Sequence, residues 1–310
     1  MVEKQEKPSI QYNRIKRKAR TIPFGYKIDD TGNYLIPIES ELKALEEAKS
    51  DFDLAIDWLR KNGISTAQKK GSRLAFDGLI AIDHNESEAS IIEINSETDF
   101  VARNHDFQDF VGEVSKLNLA LKGNIDNLNA TKYKSTTDTV SSFLVHLISK
   151  IGEKINIRRS DYIKENNGFV GTYIHNVEKD NMGKIGVIVS INTNLSKDKI
   201  DDVLKKISMH IAAASPISLN INDLDKNLIK KEKDIILEQI NDNTKDQPIL
   251  DKIIDGKIRK FYNEIVLLEQ KFIIDDKIKV IDYIEHTAKE LGGEINIKNF
   301  VRYKVGEGLK

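Results

Sequence analysis

The sequence predicts an α+β fold: a small helical N-terminal module followed by two related subdomains, each an antiparallel hairpin plus a strand packed with helices. Three observations carry this reading. Pairs of β-like runs are joined by short polar turns, each pair is followed by residues at helical spacing, and each passage closes on a similar strand. Hairpins and helices grouped in blocks do not give the strict alternation of a parallel sheet.

In chain order, a basic segment comes first, with Arg14, Lys16, Arg17, Lys18 and Arg20 ahead of Pro23, Gly25 and a polar turn at Asp29–Asn33. Its low apolar content predicts a mobile arm over residues 1–40. A helix is expected from Glu41, with Leu42, Leu45 and Ala48 on one face, and a second from Asp51 with Phe52, Ala55, Ile56, Trp58 and Leu59. Asn62-Gly63 has the chemistry of a helix C-cap, and Ala67 to Ser72 reads as the linker that completes a helical module over 41–72.

The first core subdomain is placed at 73–165. Leu74 to Asp83 and Glu88 to Asn95 are strand-like and are joined by His84-Asn85-Glu86-Ser87. Helical spacing follows through Phe107, Phe110, Val111, Val114 and Leu117, and again through Val140, Phe143, Leu144, Leu147 and Ile151. The stretch from Lys122 to Asp138 is polar and weakly patterned, and a strand at Ile155 to Ile157 closes the unit.

The second subdomain, 166–310, repeats the plan. Phe169 to His175 and Ile185 to Asn192 form a hairpin around Glu178–Asn181, and Ile200, Val203, Leu204, Ile207 and Ile211 mark an amphipathic helix ended by Ser215-Pro216. Helices are expected over Asn222–Asn241, Pro248–Glu269 and Lys279–Leu291, then a strand at Ile295–Val305. Gly152-Glu153-Lys154-Ile155-Asn156-Ile157 matches Gly293-Glu294-Ile295-Asn296-Ile297 with one residue skipped, so the repeat is visible in residues as well as in plan.

Composition removes several classes of chemistry. With 48 Lys and Arg against 49 Asp and Glu, no global field points to nucleic acid or to an anionic membrane. There is no cysteine, which excludes disulfides, a thiol nucleophile and thiolate metal sites and fits a reducing cytoplasm. No apolar run reaches the roughly 20 residues of a membrane helix, and Met1-Val2-Glu3-Lys4-Gln5 has no signal-peptide pattern, so a cytoplasmic location is expected. No phosphate-binding Gly-rich loop occurs, and the six histidines are dispersed. Neither an enzyme, a cofactor, a metal site nor direct nucleotide binding is expected.

The segment Ile91-Ile92-Glu93-Ile94-Asn95-Ser96-Glu97-Thr98-Asp99-Phe100-Val101-Ala102-Arg103-Asn104 is the most informative in the chain. A strand-like run stops at Asn95, a polar corner follows, and a helix begins with an aromatic residue beside a carboxylate, where Phe100 can project. On the residues alone, Phe100 reads first as a core residue of its helix, and Ser96-Glu97-Thr98-Asp99 resembles a capping box with Asp in place of Glu. Ile151 and Gly152 read as a core residue and a helix terminator, or as contact residues; His175 reads as structural or as a contact.

This corner resembles the central motif of bacterial elongation factor Ts. The resemblance runs from about Asp51 almost to the end: Asp53 to Ile64, Lys150 to Arg159, Gly171 to His175 with Gly183 to Val187, Ser208 to Pro216, and Phe300 to Gly308 match family blocks in order. It implies a guanine-nucleotide exchange factor that binds elongation factor Tu·GDP and promotes GDP release by disrupting the Mg²⁺ and phosphate site. Thr98, Asp99, Phe100 and Val101 would be the exchange wedge; Ile151, Gly152 and His175 would be secondary contacts. The front departs from the family: Thr31-Gly32-Asn33-Tyr34-Leu35-Ile36-Pro37 stands where a Thr-Gly-Ala-Gly-Met-Met-type sequence is usual. Two other readings stay open: a non-exchanging adaptor that recruits elongation factor Tu through the basic arm, and nucleic-acid or ribosome contact through Arg14 to Arg20.

Overall fold

The computed structural model describes residues 39–49, 51, 54–55, 58, 61, 73–134, 136–239 and 247–309. Of the basic arm expected over 1–40, residues 1–38 lie outside the described residues, as do the Asn62-Gly63 cap and the linker at 67–72, while residues 39 and 40 open a helix. The elements run α1 (Glu39–Glu47), β1 (Asp77–His84), β2 (Glu88–Ser96), α2 (Asp99–Ala102), α3 (His105–Ala120), α4 (Ile125–Ala130) and α5 (Val140–Ile151). They continue with β3 (Ile155–Lys164), β4 (Gly168–Lys179), β5 (Met182–Thr193), α6 (Lys197–Ala214), α7 (Lys226–Gln239) and α8 (Gln247–Ile265). The last are β6 (Lys271–Phe272), β7 (Asp275–Lys279), α9 (Val280–Leu291) and β8 (Ile295–Lys304). The fold is mixed α+β, as the sequence predicts.

Among the described residues two compact units are distinguished, one drawn from Met1–Ala75 and Asn129–Ile155, the other from Phe76–Leu128 and Asn156–Lys310. In the first, α1 buries Ala44, Leu45 and Ala48 with Ala55, and Trp58 packs against them. In the same unit, α5 starts where the Thr139 side chain accepts a hydrogen bond from Ser142 N–H at 3.1 Å. Tyr133 stacks on Phe143 with ring centroids 3.9 Å apart.

In the second unit the strands form one six-stranded sheet in the order β3-β2-β1-β5-β4, with β8 also on β5. The sequence repeat is visible in it: β1 and β2 form a hairpin whose second strand takes β3, and β4 and β5 form a hairpin whose second strand takes β8. The two halves join where β1 pairs with β5 at Ile80↔Gly183 and Ala81↔Met182. Gly152 and Gly292 are both left-handed helix caps, at φ 81° and 70°, each three residues before a strand. The repeat therefore aligns on Gly292 rather than Gly293 and needs no skipped residue.

β5 explains why its apolar run does not alternate with polar residues. Val187, Val189 and Ile191 face a core built with α6, α9 and Phe272, while Ile188 faces a second core with Ile80, Ile82, Ile91, Ile163, Val170 and Tyr303. Successive strand side chains point to opposite faces, so a strand covered on both sides must be apolar throughout. Gly186 belongs to this packing: a Cβ there would lie 2.5 Å from Ile80 Cγ2.

Three features fall outside the expected elements, the first being α4, which lies in the stretch read as weakly patterned. β3 extends to Lys164 instead of ending at Ile157, and β6 with β7 forms a small ribbon that carries no strand pattern in the sequence. The length of β3 has an electrostatic reason. Arg158 and Arg159 sit beside Glu93 of β2, whose side chain is fully buried. Glu93 Oε1 accepts from Arg158 Nη1 at 2.9 Å, Asn95 Nδ2 at 2.9 Å and Gly306 N–H at 2.8 Å; Oε2 accepts from Arg159 Nε at 2.6 Å. Arg158 Nη2 and Arg159 Nη2 donate onward to the carbonyls of Glu307 and Lys304. Burial would raise the Glu93 pKa, but the hydrogen bonds from Asn95, Gly306, Arg159 and Arg158 outweigh it and hold the carboxyl below its ordinary range.

Gly306, one of the donors, has φ +74°, and an added Cβ would stand 2.3 Å from the Phe76 carbonyl oxygen. Gly306→Ala should therefore destabilise by about 1–3 kcal/mol through backbone strain and displacement of the Glu93 contact. A fall in the urea midpoint with unchanged m-value would show it.

His210, on α6, is a second buried titratable group. Its Nδ1 accepts from Ile273 N–H at 3.3 Å, so Nε2 carries the proton and donates to Gln270 Oε1 at 2.9 Å. Burial lowers its pKa, and the Gln270 contact opposes this only in part. The unfolded chain takes up the proton first, so this contribution to stability is complete above the ordinary value of 6.5 and is lost as pH falls below it. Thermal midpoints measured from about pH 7 to pH 5 should fall in the parent, and more shallowly in His210→Gln.

Candidate functional site

The corner after β2 is built by local bonds. Ser96 Oγ donates to the Thr98 carbonyl at 2.9 Å and turns the chain out of the sheet. Thr98, with extended backbone, is the N-cap of the single turn α2, and its side chain makes no capping bond there. The Ser96–Asp99 capping box expected as one alternative is absent, because Ser96 spends its hydroxyl on the turn and lies two residues before the cap. The turn is closed by Arg103 N–H to Phe100 O at 3.2 Å and Asn104 N–H to Val101 O at 2.9 Å. Asn104 then caps α3, accepting from Asp106 N–H and Phe107 N–H, while Gln108 Nε2 donates to Ala102 O at 3.0 Å.

Four consecutive residues thereby divide sharply. Val101 and Ala102 are buried, at 4% and 0% exposure, whereas Phe100 is 77% exposed and Asp99 is exposed beside it. Phe100 is not a core residue of its helix. Val101, expected among the contact residues, instead packs into its own protein beneath the corner. A one-turn helix with its inner half buried and flanking caps at both ends has little freedom to rotate, so the ring is displayed in one place.

The end of the β4–β5 hairpin is tied to this corner within the same unit. Arg103 Nε pairs with Glu178 Oε2 at 3.6 Å, and Lys179 Nζ pairs with Asp109 Oδ1 of α3 at 3.1 Å. Glu178 is the extra residue of a β-bulge, since Val177 pairs with Gly183 and Lys179 with Met182. Asn176 just before it has φ 52°, a left-handed conformation Asn tolerates better than most residues. The bulge leaves Val177 62% exposed. His175, also exposed, has its Nδ1 3.2 Å from Tyr173 OH.

Thr98, Asp99, Phe100, Val101 and His175 thus share one compact unit, and Ile151 and Gly152 belong to the other. Ile151 is the last residue of α5 and half-buried; Gly152 ends that helix, its N–H donating to Ile148 O at 2.9 Å. Sequence reasoning missed Arg103, Glu178 and Val177. The signal was present in Val177 alone, an apolar residue inside the polar stretch Asn176–Asn181.

Among the described residues no group of three or more His, Cys, Asp or Glu is arranged to hold a metal ion, and no helix is long and apolar enough to cross a membrane. What the corner offers is an apolar finger on a braced turn, with Asp99, Arg103, Glu178 and Lys179 as a charged rim of both signs. Interface centres commonly combine an apolar core with a polar rim.

Comparison with known proteins places the chain in a family. Residues 97–307 match the family described as Elongation factor TS. The chain is 38% identical over 268 residues to elongation factor Ts of Rhodospirillum centenum, covering 86% of this chain and 87% of that protein. It is 40% identical over 269 residues to elongation factor Ts of Rhodospirillum rubrum, covering 86% and 87%, and 39% identical over 269 residues to that of Rickettsia felis, covering 86% and 86%. With a family match that begins at Glu97, inside the corner, and relatives this similar over most of both chains, the protein belongs to the elongation factor Ts family.

Proposed function

We propose that this protein is a guanine-nucleotide exchange factor that binds elongation factor Tu·GDP and promotes release of GDP. The observation that supports it most directly is the exposure of Phe100, 77%, on a turn whose neighbours Val101 and Ala102 are buried. A bound guanine nucleotide is held largely through its phosphates and the Mg²⁺ that bridges them to protein oxygens. Displacing the partner's elements around that ion removes much of the nucleotide's affinity with no covalent step. Phe100 acts as the wedge, Asp99 disturbs polar contacts that support the Mg²⁺ site, and Thr98 and Val101 set the turn that presents them. Ile151, Gly152 and His175 add secondary contacts.

The coupling is reciprocal. A factor that weakens nucleotide binding by a given ratio is itself bound more weakly by the same ratio when nucleotide returns, which permits turnover. The test is release of a fluorescent GDP analogue from elongation factor Tu with sub-stoichiometric protein. Accelerated, catalytic release is expected. Tight binding with release at the spontaneous rate would reject exchange and leave a recruiting adaptor.

A further inference from the structure

We infer that Val177, displayed on the β4 bulge, is a second apolar contact for the partner surface that receives Phe100, and that the Arg103–Glu178 ion pair is the positioning element that holds the two together. The inference rests on the proposed role toward elongation factor Tu and extends its contact surface to a residue outside the recognised motif.

The argument begins with the bulge. Inserting Glu178 opposite the Gly183–Met182 step breaks the alternation of β4, so a side chain at this point is re-aimed rather than returned to the sheet face. Glu178 is turned to Arg103, three residues after Phe100 and therefore on the same side of a helical turn. Val177 is the immediate neighbour of Glu178 and Phe100 lies one turn from Arg103, so the ion pair sets the two apolar groups on adjoining elements of one unit.

A second brace, Lys179 to Asp109, fixes the hairpin end to α3, whose N-cap Asn104 also closes the Phe100 turn. A pair such as Arg103–Glu178, exposed on the arginine side and half-buried on the other, contributes about 0–1 kcal/mol to folding, so stability is a poor reason for it; alignment of two displayed groups is a better one. Single exposed apolar residues are ordinary, but these two stand on segments of one unit that are tied together by the Arg103–Glu178 and Lys179–Asp109 pairs, so both are presented with charges of both signs nearby in the chain. The occupant that fits is an apolar depression on elongation factor Tu edged by charges of both signs, continuous with the one that takes Phe100.

GDP-analogue release from elongation factor Tu separates the possibilities, using the full chain with Val177→Ser, Phe100→Ala and the double variant, each checked for an unchanged unfolding midpoint. Val177→Ser should lower the second-order rate of stimulated release about fivefold, the loss expected for incomplete burial of a Val side chain. The double variant should lose less than the product of the single effects, because both act at one contact. If Val177→Ser matches the parent while Phe100→Ala fails, this inference is overturned and the exchange reading stands; if neither variant changes the stimulated release, the Phe100 wedge falls with the inference, and if the parent itself leaves release at the spontaneous rate, the exchange reading fails. For the positioning pair, Arg103→Glu and Glu178→Arg should each cost about two- to fivefold, and the two reversals combined should restore the rate. Single reversals without effect, or a swap that does not rescue, would remove the positioning role.

Discussion

Phe100→Ala is expected to reduce stimulated GDP release by about 30- to 150-fold while leaving the fold intact. Full burial of a Phe side chain is worth about 2–3 kcal/mol, and interface anchors in desolvated pockets cost 2 kcal/mol or more on truncation. At about 1.4 kcal/mol per decade, that is the stated range. The fold is spared because the ring is 77% exposed and the bonds that form the turn come from Ser96, Asn104 and the backbone. Circular dichroism and thermal unfolding should therefore match the parent. Phe100→Leu, which keeps an apolar tip, should lose less. A Phe100→Ala protein with parental exchange would reject the wedge; one that unfolds early would show that the ring supports the corner.

The second large effect concerns stability. Glu93→Gln should destabilise the protein by about 3 kcal/mol, since removing one partner of a buried ion pair strands the other and its hydrogen-bond donors. The isosteric change leaves no cavity; it replaces one acceptor oxygen with an NH₂ that faces arginine N–H groups. The pH dependence follows from the lowered pKa of Glu93. Its contribution to stability is complete above the ordinary carboxyl value of 4.5 and disappears as pH falls through the lower folded value, because the unfolded chain binds the proton first. Urea midpoints between about pH 6 and pH 3 should fall less steeply in Glu93→Gln than in the parent. Parallel curves would mean that Glu93 does not drive the acid transition.

The comparison of sequence with structure is instructive at particular residues. The α6 face was legible because Ile200, Val203, Leu204, Ile207 and Ile211 repeat at helical spacing and all are buried. The two hairpins were legible from their polar turns. β3 was read too short because Arg158 and Arg159 look like a solvated loop until Glu93 is found on the neighbouring strand. The joining of the two hairpins rests on two residue pairs between β1 and β5, a tertiary choice with no local signature. At the candidate site, periodicity could not decide whether Phe100 points in or out, and the family motif was the stronger guide. The Glu178 bulge was invisible for a different reason: a bulge is a register event between two strands, and one strand's sequence does not encode it.

The Glu93 hub also bears on the order in which the protein is assembled. Its bond to Gly306 spans 213 residues, and Arg302 and Lys304 pair with β5 across more than a hundred. Contacts so distant in sequence form slowly, because the loop they close must be ordered before they reward it. On a chain emerging from the ribosome, the β1–β2 hairpin is therefore made long before its carboxylate meets the C-terminal donors. Before β3 brings Arg158 and Arg159 to it, Glu93 is a hydrated charge on the open strand, and an inward-pointing charge of this kind guards a bare edge against pairing with another chain.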